Sequence, residues 1–244
     1  MTTTTNIEAI VLNHAPYREN DLLVSIYSLD YGKITVLARG AKKLTSKNAS
    51  YIQPMTLCSI DALIKKGIST LIRANSIDYY LNIRNDLESE IIGNVIIEYY
   101  YRYVEENKPL LKDYTFLKES LNALNEGYPP LKIYLLLLTH IIHNEGIDIE
   151  VDHCLYCDST KVNSITPSGG FVCENHRGNL PLYDKETLKA FRHFIKLTIN
   201  DLDRLDFKQE TLLELIPLYE YYIEEYGGIR FKSQTFINNL YKKR

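Results

Sequence analysis

Asp30-Tyr31-Gly32-Lys33-Ile34-Thr35-Val36-Leu37-Ala38-Arg39-Gly40-Ala41-Lys42-Lys43 is the stretch on which the fold turns. Its first four residues read as a hairpin turn. Ile34 to Arg39 is a strand, because Ile34, Val36 and Ala38 recur at the two-residue period of a half-buried sheet. Gly40 and the two lysines then open a polar, basic loop that runs to Asn48. Working outward, Leu22 to Leu29 is the strand that enters the hairpin, and residues 7–13 form an earlier one rich in aliphatic and β-branched side chains. Pro16, Asn20 and Asp21 mark the turn between them, with Arg18 and Glu19 inside it. Met55 to Ile64 and Leu71 to Ile77 are a fourth and a fifth strand, joined by Lys65-Lys66-Gly67. Five short strands with turn signals between them predict a small barrel. The five-stranded Greek-key barrel that binds oligonucleotides is one such fold.

After Leu81 the period changes. Leu87, Ile91, Val95, Ile96 and Tyr99 recur at the three- and four-residue steps of an amphipathic helix. Further helices are expected over Asp113 to Asn125, Leu131 to Asn144, Asp184 to Ile199 and Gln209 to Tyr226. Asp113 and Asp184 read as N-caps, and Gly127, Gly146 and Gly227 as stops. Pro217 should kink or split the last of these helices. The fold class is therefore α+β, with a barrel domain over 1–81, a helical domain over 82–244 and a metal-binding insertion at about 150–180.

The insertion is marked by Cys154-Leu155-Tyr156-Cys157, then fifteen residues, then Cys173-Glu174-Asn175-His176. Paired ligands two residues apart, separated by a loop holding Pro167, Gly169 and Gly170, have the spacing of a tetrahedral zinc site. Three thiolates and an imidazole fill all four positions and leave none for water, so one structural zinc ion is expected rather than a catalytic one. His176 is the preferred fourth ligand because His153 adjoins Cys154, and neighbouring residues rarely both reach one ion; His153 stays as the alternative. Cys58 sits in an apolar run and reads as a small buried hydrophobe.

Composition narrows the class. A hydrophobic share of 45% and a charged share of 24% are those of a globular protein with a sizeable core. Residues 1–81 carry nine Lys/Arg and six Asp/Glu, whereas the remainder carries nineteen and twenty-five, so a basic N-terminal part precedes an acidic body. Met1-Thr2-Thr3-Thr4-Thr5 is polar and uncharged, so no secretory leader is expected. The most apolar run, Leu131 to Ile142, is too short to span a bilayer. A cytoplasmic protein with no membrane contact fits these features and the few cysteines.

The basic loop is the best candidate surface for a ligand. Arg39, Lys42, Lys43 and Lys47 lie within nine residues with no acid among them, and small residues between them let a phosphate chain come close. Lys33 and Arg18 extend the patch if the barrel closes. Four contacts to a single strand would give a salt slope of roughly −3, at about −0.7 per phosphate. Tyr17, Tyr27, Tyr31 and Tyr51 are candidate stacking faces. The plainer alternatives are a solvated loop and tyrosines that merely pack. The chain has no G-x-x-x-x-G-K-[ST], no G-x-G-x-x-G and no G-x-S-x-G, so no small-molecule substrate and no catalytic residues are expected. His143-Asn144-Glu145 ahead of the cysteines looks superficially like a zinc deaminase. The eight residues between Glu145 and Cys154 are too few for the separate helices that chemistry uses.

Taken in order, these pieces resemble the bacterial RecO family of DNA repair and recombination proteins along nearly the whole chain. The residues that carry the resemblance are Ile10-Val11-Leu12, Tyr17-Arg18-Glu19-Asn20-Asp21, Tyr31-Gly32-Lys33, Ala38-Arg39-Gly40-Ala41-Lys42-Lys43 and Gln53-Pro54. In the second half they are Cys154-x₂-Cys157, Gly169-Gly170-Phe171-Val172-Cys173 and Gly228 with Lys232-Ser233. The resemblance implies an N-terminal oligonucleotide-binding (OB) fold and a helical domain with a zinc site. It also implies a non-enzymatic mediator of the RecF pathway that binds single- and double-stranded DNA and anneals complementary strands without ATP. The partners implied are RecR and single-strand-binding protein, on whose coated strands the family helps load RecA. Carried over, the DNA contacts are Arg18, Lys33, Arg39, Lys42, Lys43 and Lys47. The metal ligands are Cys154, Cys157, Cys173 and, where the family usually has a fourth cysteine, His176. The competing expectation is a zinc-ribbon module that docks protein and touches no DNA.

Overall fold

A computed structural model describes residues 4–241, which fall into two compact units that divide between Gly127 and Tyr128. In the first unit, β1 (Thr4–Pro16), β2 (Leu22–Ser28), β3 (Gly32–Ala38), β4 (Leu57–Leu63) and β5 (Ser69–Asp78) close a barrel in the order β1-β2-β3-β5-β4. That is the strand order of the OB fold. Alternation in the sequence becomes the barrel interior: Val24 faces Val36, Ile26 faces Ile34 and Leu22 faces Ala38, all buried. Cys58 belongs to the same core, and burial pushes its thiol up to about 12, which makes it an inert hydrophobe. A register shift between Val11 and Asn13 marks a bulge in β1, and Leu12 beside it is buried. Glycine matters at the β2–β3 turn. Gly32 has φ +63°, and a Cβ there would lie 2.6 Å from the Lys108 carbonyl carbon.

The first unit also contains α1 (Leu81–Asn85), α2 (Leu87–Arg102) and α3 (Leu111–Asn125). Asp86 caps α2 by accepting from the Ser89 N–H at 2.8 Å. Asp113 does not cap α3: that helix begins earlier, with Leu110 at its N-cap, and Asp113 is buried in the first turn. Its backbone carbonyl accepts the buried Tyr100 hydroxyl at 2.7 Å. Glu8 on β1 accepts from Lys118 at 2.6 Å and from the Tyr114 hydroxyl, which fastens α3 to the barrel. The Lys118 bond, then the Tyr114 bond, hold the Glu8 carboxyl below its ordinary value. A carboxylate with a lowered folded pKa adds stability above the unfolded value of about 4.3. That stability is lost as pH falls through the folded value. Glu8→Gln should therefore cost at most about 1 kcal/mol near pH 7, because the pair is half exposed. The gap to wild type should begin to shrink once pH falls below about 4.3 in urea melts run across pH.

The second unit is built on α4 (Pro130–Asn144), whose Leu131, Ile133, Leu135, Leu137, Leu138 and Ile141 are buried. It packs against α7 (Gln209–Glu225) and α6 (Lys185–Lys196). Asp184 caps α6 as expected, accepting from the Thr187 N–H at 2.7 Å. The helix stops at Lys196, and Ile199–Arg204 is a separate 3₁₀ turn. Pro217 does not split α7, where it occupies an exposed position inside one continuous helix. Gly228, not Gly227, takes the left-handed conformation that ends α7, with φ +65°. A hairpin of β6 (Val162–Thr166) and β7 (Gly170–Cys173) lies on these helices. Tyr222 donates to the Thr166 carbonyl at 2.7 Å, and the rings of Phe171 and Phe191 lie 5.6 Å apart. The short helix α5 (Glu174–Arg177) follows β7, and α8 (Gln234–Tyr241) closes the described chain. Among the described residues, no helix is long and apolar enough to cross a membrane.

Candidate nucleic-acid interface and metal centre

The basic loop is held against the β1–β2 turn by backbone and side-chain bonds. Asp21 accepts from the Gly40 N–H at 2.8 Å, and the Asn20 carbonyl accepts from the Lys42 N–H at 3.0 Å. Inside the loop, Lys43 N–H donates to Gly40 at 3.1 Å and Ser46 N–H to Lys43 at 2.9 Å. These bonds use the backbone and leave the cationic heads outside. Arg18, Arg39, Lys42, Lys43 and Lys47 are all exposed. Two segments that the sequence separates thus present one positively charged rim, with the Arg18 guanidinium 5.3 Å from the centre of the exposed Tyr17 ring. Such a rim can neutralise successive phosphates without shaping a pocket.

Lys33 does not join that rim. The residue is buried, and its ammonium donates to the Tyr101 carbonyl at 3.0 Å. Burial lowers its pKa, and Glu106 opposes that shift. The sequence marks Lys33 as a turn cation, but a partner 68 residues further on takes it out of reach of a ligand. Tyr27 is also removed from the stacking candidates, because it is fully buried with its ring 5.3 Å from Tyr100. Tyr31 and Tyr51 are half-buried against the barrel core. In the barrel, three exposed cations carry no signal of a ligand surface in the sequence: Lys65 and Lys66 in the β4–β5 turn, and Arg73 on β5. The turn lysines are legible as a charge pair, but Arg73 sits inside a strand and gives no such signal.

In the second unit the structure brings Cys154, Cys157, Cys173 and His176 together, with donor atoms all within 4.8 Å of one another. Cys154 and Cys157 share a turn closed by Cys157 N–H to the Cys154 carbonyl at 3.1 Å. Leu155 N–H donates to Phe171 at 2.8 Å, which pins that turn to β7, and Cys173 ends β7 just before α5 carries His176. The Cys157 and Cys173 sulfurs are 3.9 Å apart, and His176 Nδ1 lies 3.4 Å from both Cys154 and Cys173 sulfurs. A tetrahedral zinc ion with its usual bond lengths needs about 3.8 Å between sulfurs and about 3.6 Å from sulfur to nitrogen. The cluster has that size, so it could hold a metal ion.

Charge points the same way. Burial pushes the Cys154 thiol up, but the Tyr156 and Cys173 N–H groups and His176 outweigh it and bring it down to about 6. The Ser159 N–H lowers Cys157, yet burial and the neighbouring Cys154 and Cys173 sulfurs leave it raised. Three thiols this close cannot all ionise without a cation between them. His153 faces elsewhere. Its Nδ1 lies 3.3 Å from the Cys154 carbonyl and its Nε2 3.5 Å from the Glu150 carboxylate.

Comparison with known proteins finds two family models that meet near residue 82, inside the first compact unit. A family model described as "Recombination protein O N terminal" matches residues 1–80. One described as "Recombination protein O C terminal" matches residues 84–235. The DNA repair protein RecO of Bacillus subtilis (strain 168) is 31% identical over 243 residues, spanning 97% of this chain and 94% of that protein. The protein of the same name from Listeria monocytogenes serotype 4b (strain CLIP80459) is 28% identical over 243 residues, spanning 96% and 94%. That from Bacillus pumilus (strain SAFR-032) is 28% identical over 239 residues, spanning 96% and 93%.

Proposed function

Because the chain belongs to the RecO family of recombination and repair proteins, we propose that it is a DNA-binding recombination mediator of the RecF pathway, active in the cytoplasm at the nucleoid. It binds single- and double-stranded DNA, anneals complementary strands without ATP and, with RecR, helps load RecA onto strands coated with single-strand-binding protein. The observation that carries this reading is the exposed rim of Arg18, Arg39, Lys42, Lys43 and Lys47 on an OB barrel. Annealing needs no reactive group. A cationic surface lowers the repulsion between two phosphate chains, and base pairing supplies the driving force. One zinc ion held by Cys154, Cys157, Cys173 and His176 supports the hairpin on α6 and α7 and takes no part in chemistry.

The test is annealing of two complementary oligonucleotides, one quenched on pairing, with no nucleotide present. The rate should rise well above the protein-free rate at low salt and fall steadily as salt is added. No acceleration at any salt would remove annealing from the reading. A second reading, a protein-docking zinc knuckle, draws on the exposure of Leu155 and Tyr156 between the first two cysteines. It predicts no DNA binding by the chain alone.

A further inference from the structure

β5 carries two consecutive exposed residues, Ile72 and Arg73, which a regular strand cannot do when one face is buried. The cause is a bulge. Ala62 pairs with Leu71 and Asp61 with Arg73, so Ile72 is the extra residue, turned outward at 48% exposure. Asp61 stands across from Arg73, but its carboxylate takes the Asn6 side chain at 2.7 Å, and no ion pair holds Arg73 among the described residues. On its other side β5 pairs with β3 only through Ser69 and Thr70, so the strand edge beyond Thr70 is not covered by β3. Asn48, at the end of the basic loop, comes alongside that edge. Its side-chain oxygen accepts the Ala74 N–H at 3.0 Å, and its amide reaches the Ile72 carbonyl at 3.5 Å. A groove of about 620 Å³ opens between loop and strand, lined by Lys47, Asn48, Tyr51, Ile72, Arg73 and Asn75.

We propose that this groove is a subsite for one unpaired nucleotide, with Lys47 and Arg73 on its phosphates and its base against Tyr51 and Ile72. The proposal rests on the DNA-binding reading above and adds a strand preference to it. Two cations on the rim and an apolar and an aromatic face within the groove suit a nucleotide, which is anionic at one end and flat at the other. A base must leave its stack to enter, so a duplex meets the cationic rim and does not fill the groove. Asn75 lines the groove with a further amide group, and asparagine can serve any base as donor or acceptor. The track that starts at Arg39 thus continues across the barrel to Arg73.

The test uses the full chain with a fluorescein-labelled oligothymidylate and a duplex of equal length, by anisotropy. Arg73→Ala should weaken the single strand about fivefold at 0.1 M salt and reduce its salt slope by about 0.7. Duplex binding should change less than twofold. Tyr51→Leu keeps an apolar side chain against the barrel but removes the ring; it should cost roughly tenfold on the single strand alone. Should Tyr51→Leu fail to fold, photo-crosslinking of wild type to an oligonucleotide bearing 5-iodouracil replaces it, and the adduct should map to Tyr51. Equal losses on both nucleic acids, or crosslinks confined to other tyrosines, overturn the subsite. If Arg39→Ala/Lys42→Ala/Lys43→Ala weakens binding while Arg73→Ala leaves the single-strand to duplex ratio unchanged, the subsite alone falls. If wild type binds neither nucleic acid, the DNA-binding reading falls and the subsite with it.

Discussion

Treatment with a metal chelator, or replacement of Cys173 by serine, is expected to unfold the residues between Asp152 and Leu180 while the barrel stays folded. The physical reason is that, beyond Phe171 and the Thr166 carbonyl, which the helices take up, this segment depends on the cluster itself. Its own buried cluster is Cys154, Val172 and Cys173, with Val162 and Leu180 packed at the edge. A core of that size contributes only a few kcal/mol at about 25 cal/mol per Å². Structural zinc in small domains contributes apparent free energies on the order of 10 kcal/mol at neutral pH. Hydrogen exchange should therefore show lost protection in β6, β7 and α5 at a chelator dose that leaves β1 to β5 unchanged. Acid should do the same. Protons compete with the metal for the thiolates and the imidazole, so the cluster loosens as pH falls. A hairpin that keeps full protection in chelator would show that the cluster of thiols and imidazole is not bracing it.

The triple substitution Arg39→Ala/Lys42→Ala/Lys43→Ala should cost about 100-fold in DNA affinity at 0.1 M salt, for single strands and duplexes alike. Each phosphate contact on a single strand contributes about 0.7 to the slope of log K against log salt, so three losses should flatten it by about 2. The folded state should not notice. All three side chains are exposed, and the bonds that shape the loop use the Gly40, Lys42 and Lys43 backbone N–H groups, which alanine retains. Melting temperature should stay within the scatter expected of surface changes. Unchanged affinity together with unchanged melting would sink the reading of this loop as the DNA surface.

Much of the molecule follows from local pattern. The two-residue period of Leu22 to Arg39 places Val24, Ile26, Ile34 and Val36 inside the barrel, where they are found. The run from Leu131 to Ile142 is a buried helix because all but a few of its residues are apolar. The paired spacing of Cys154, Cys157, Cys173 and His176 identifies the cluster because a tetrahedral ion accepts few arrangements. Three details differ from local pattern. Asp113 looks like a cap by position, but α3 starts earlier, and its buried carbonyl serves Tyr100 instead. Pro217 ought to kink or split a helix, and it does not split this one, standing on the exposed side of a continuous helix. Gly227 and Gly228 are equivalent on paper, and only the backbone bonds that close α7 choose between them.

By itself the sequence determined the five barrel strands, the five longer helices and the cluster of side chains that could hold a metal, since each depends on spacings within a few turns of chain. Tertiary structure alone decided which cations remain available. Lys33 is withdrawn by a carbonyl 68 residues away, whereas Arg73 is turned outward beside a bulge in the β4–β5 pairing. A charge is equally hydrophilic at either position. Whether it meets solvent depends on what the fold lays over it, and periodicity along one segment carries no record of that neighbour.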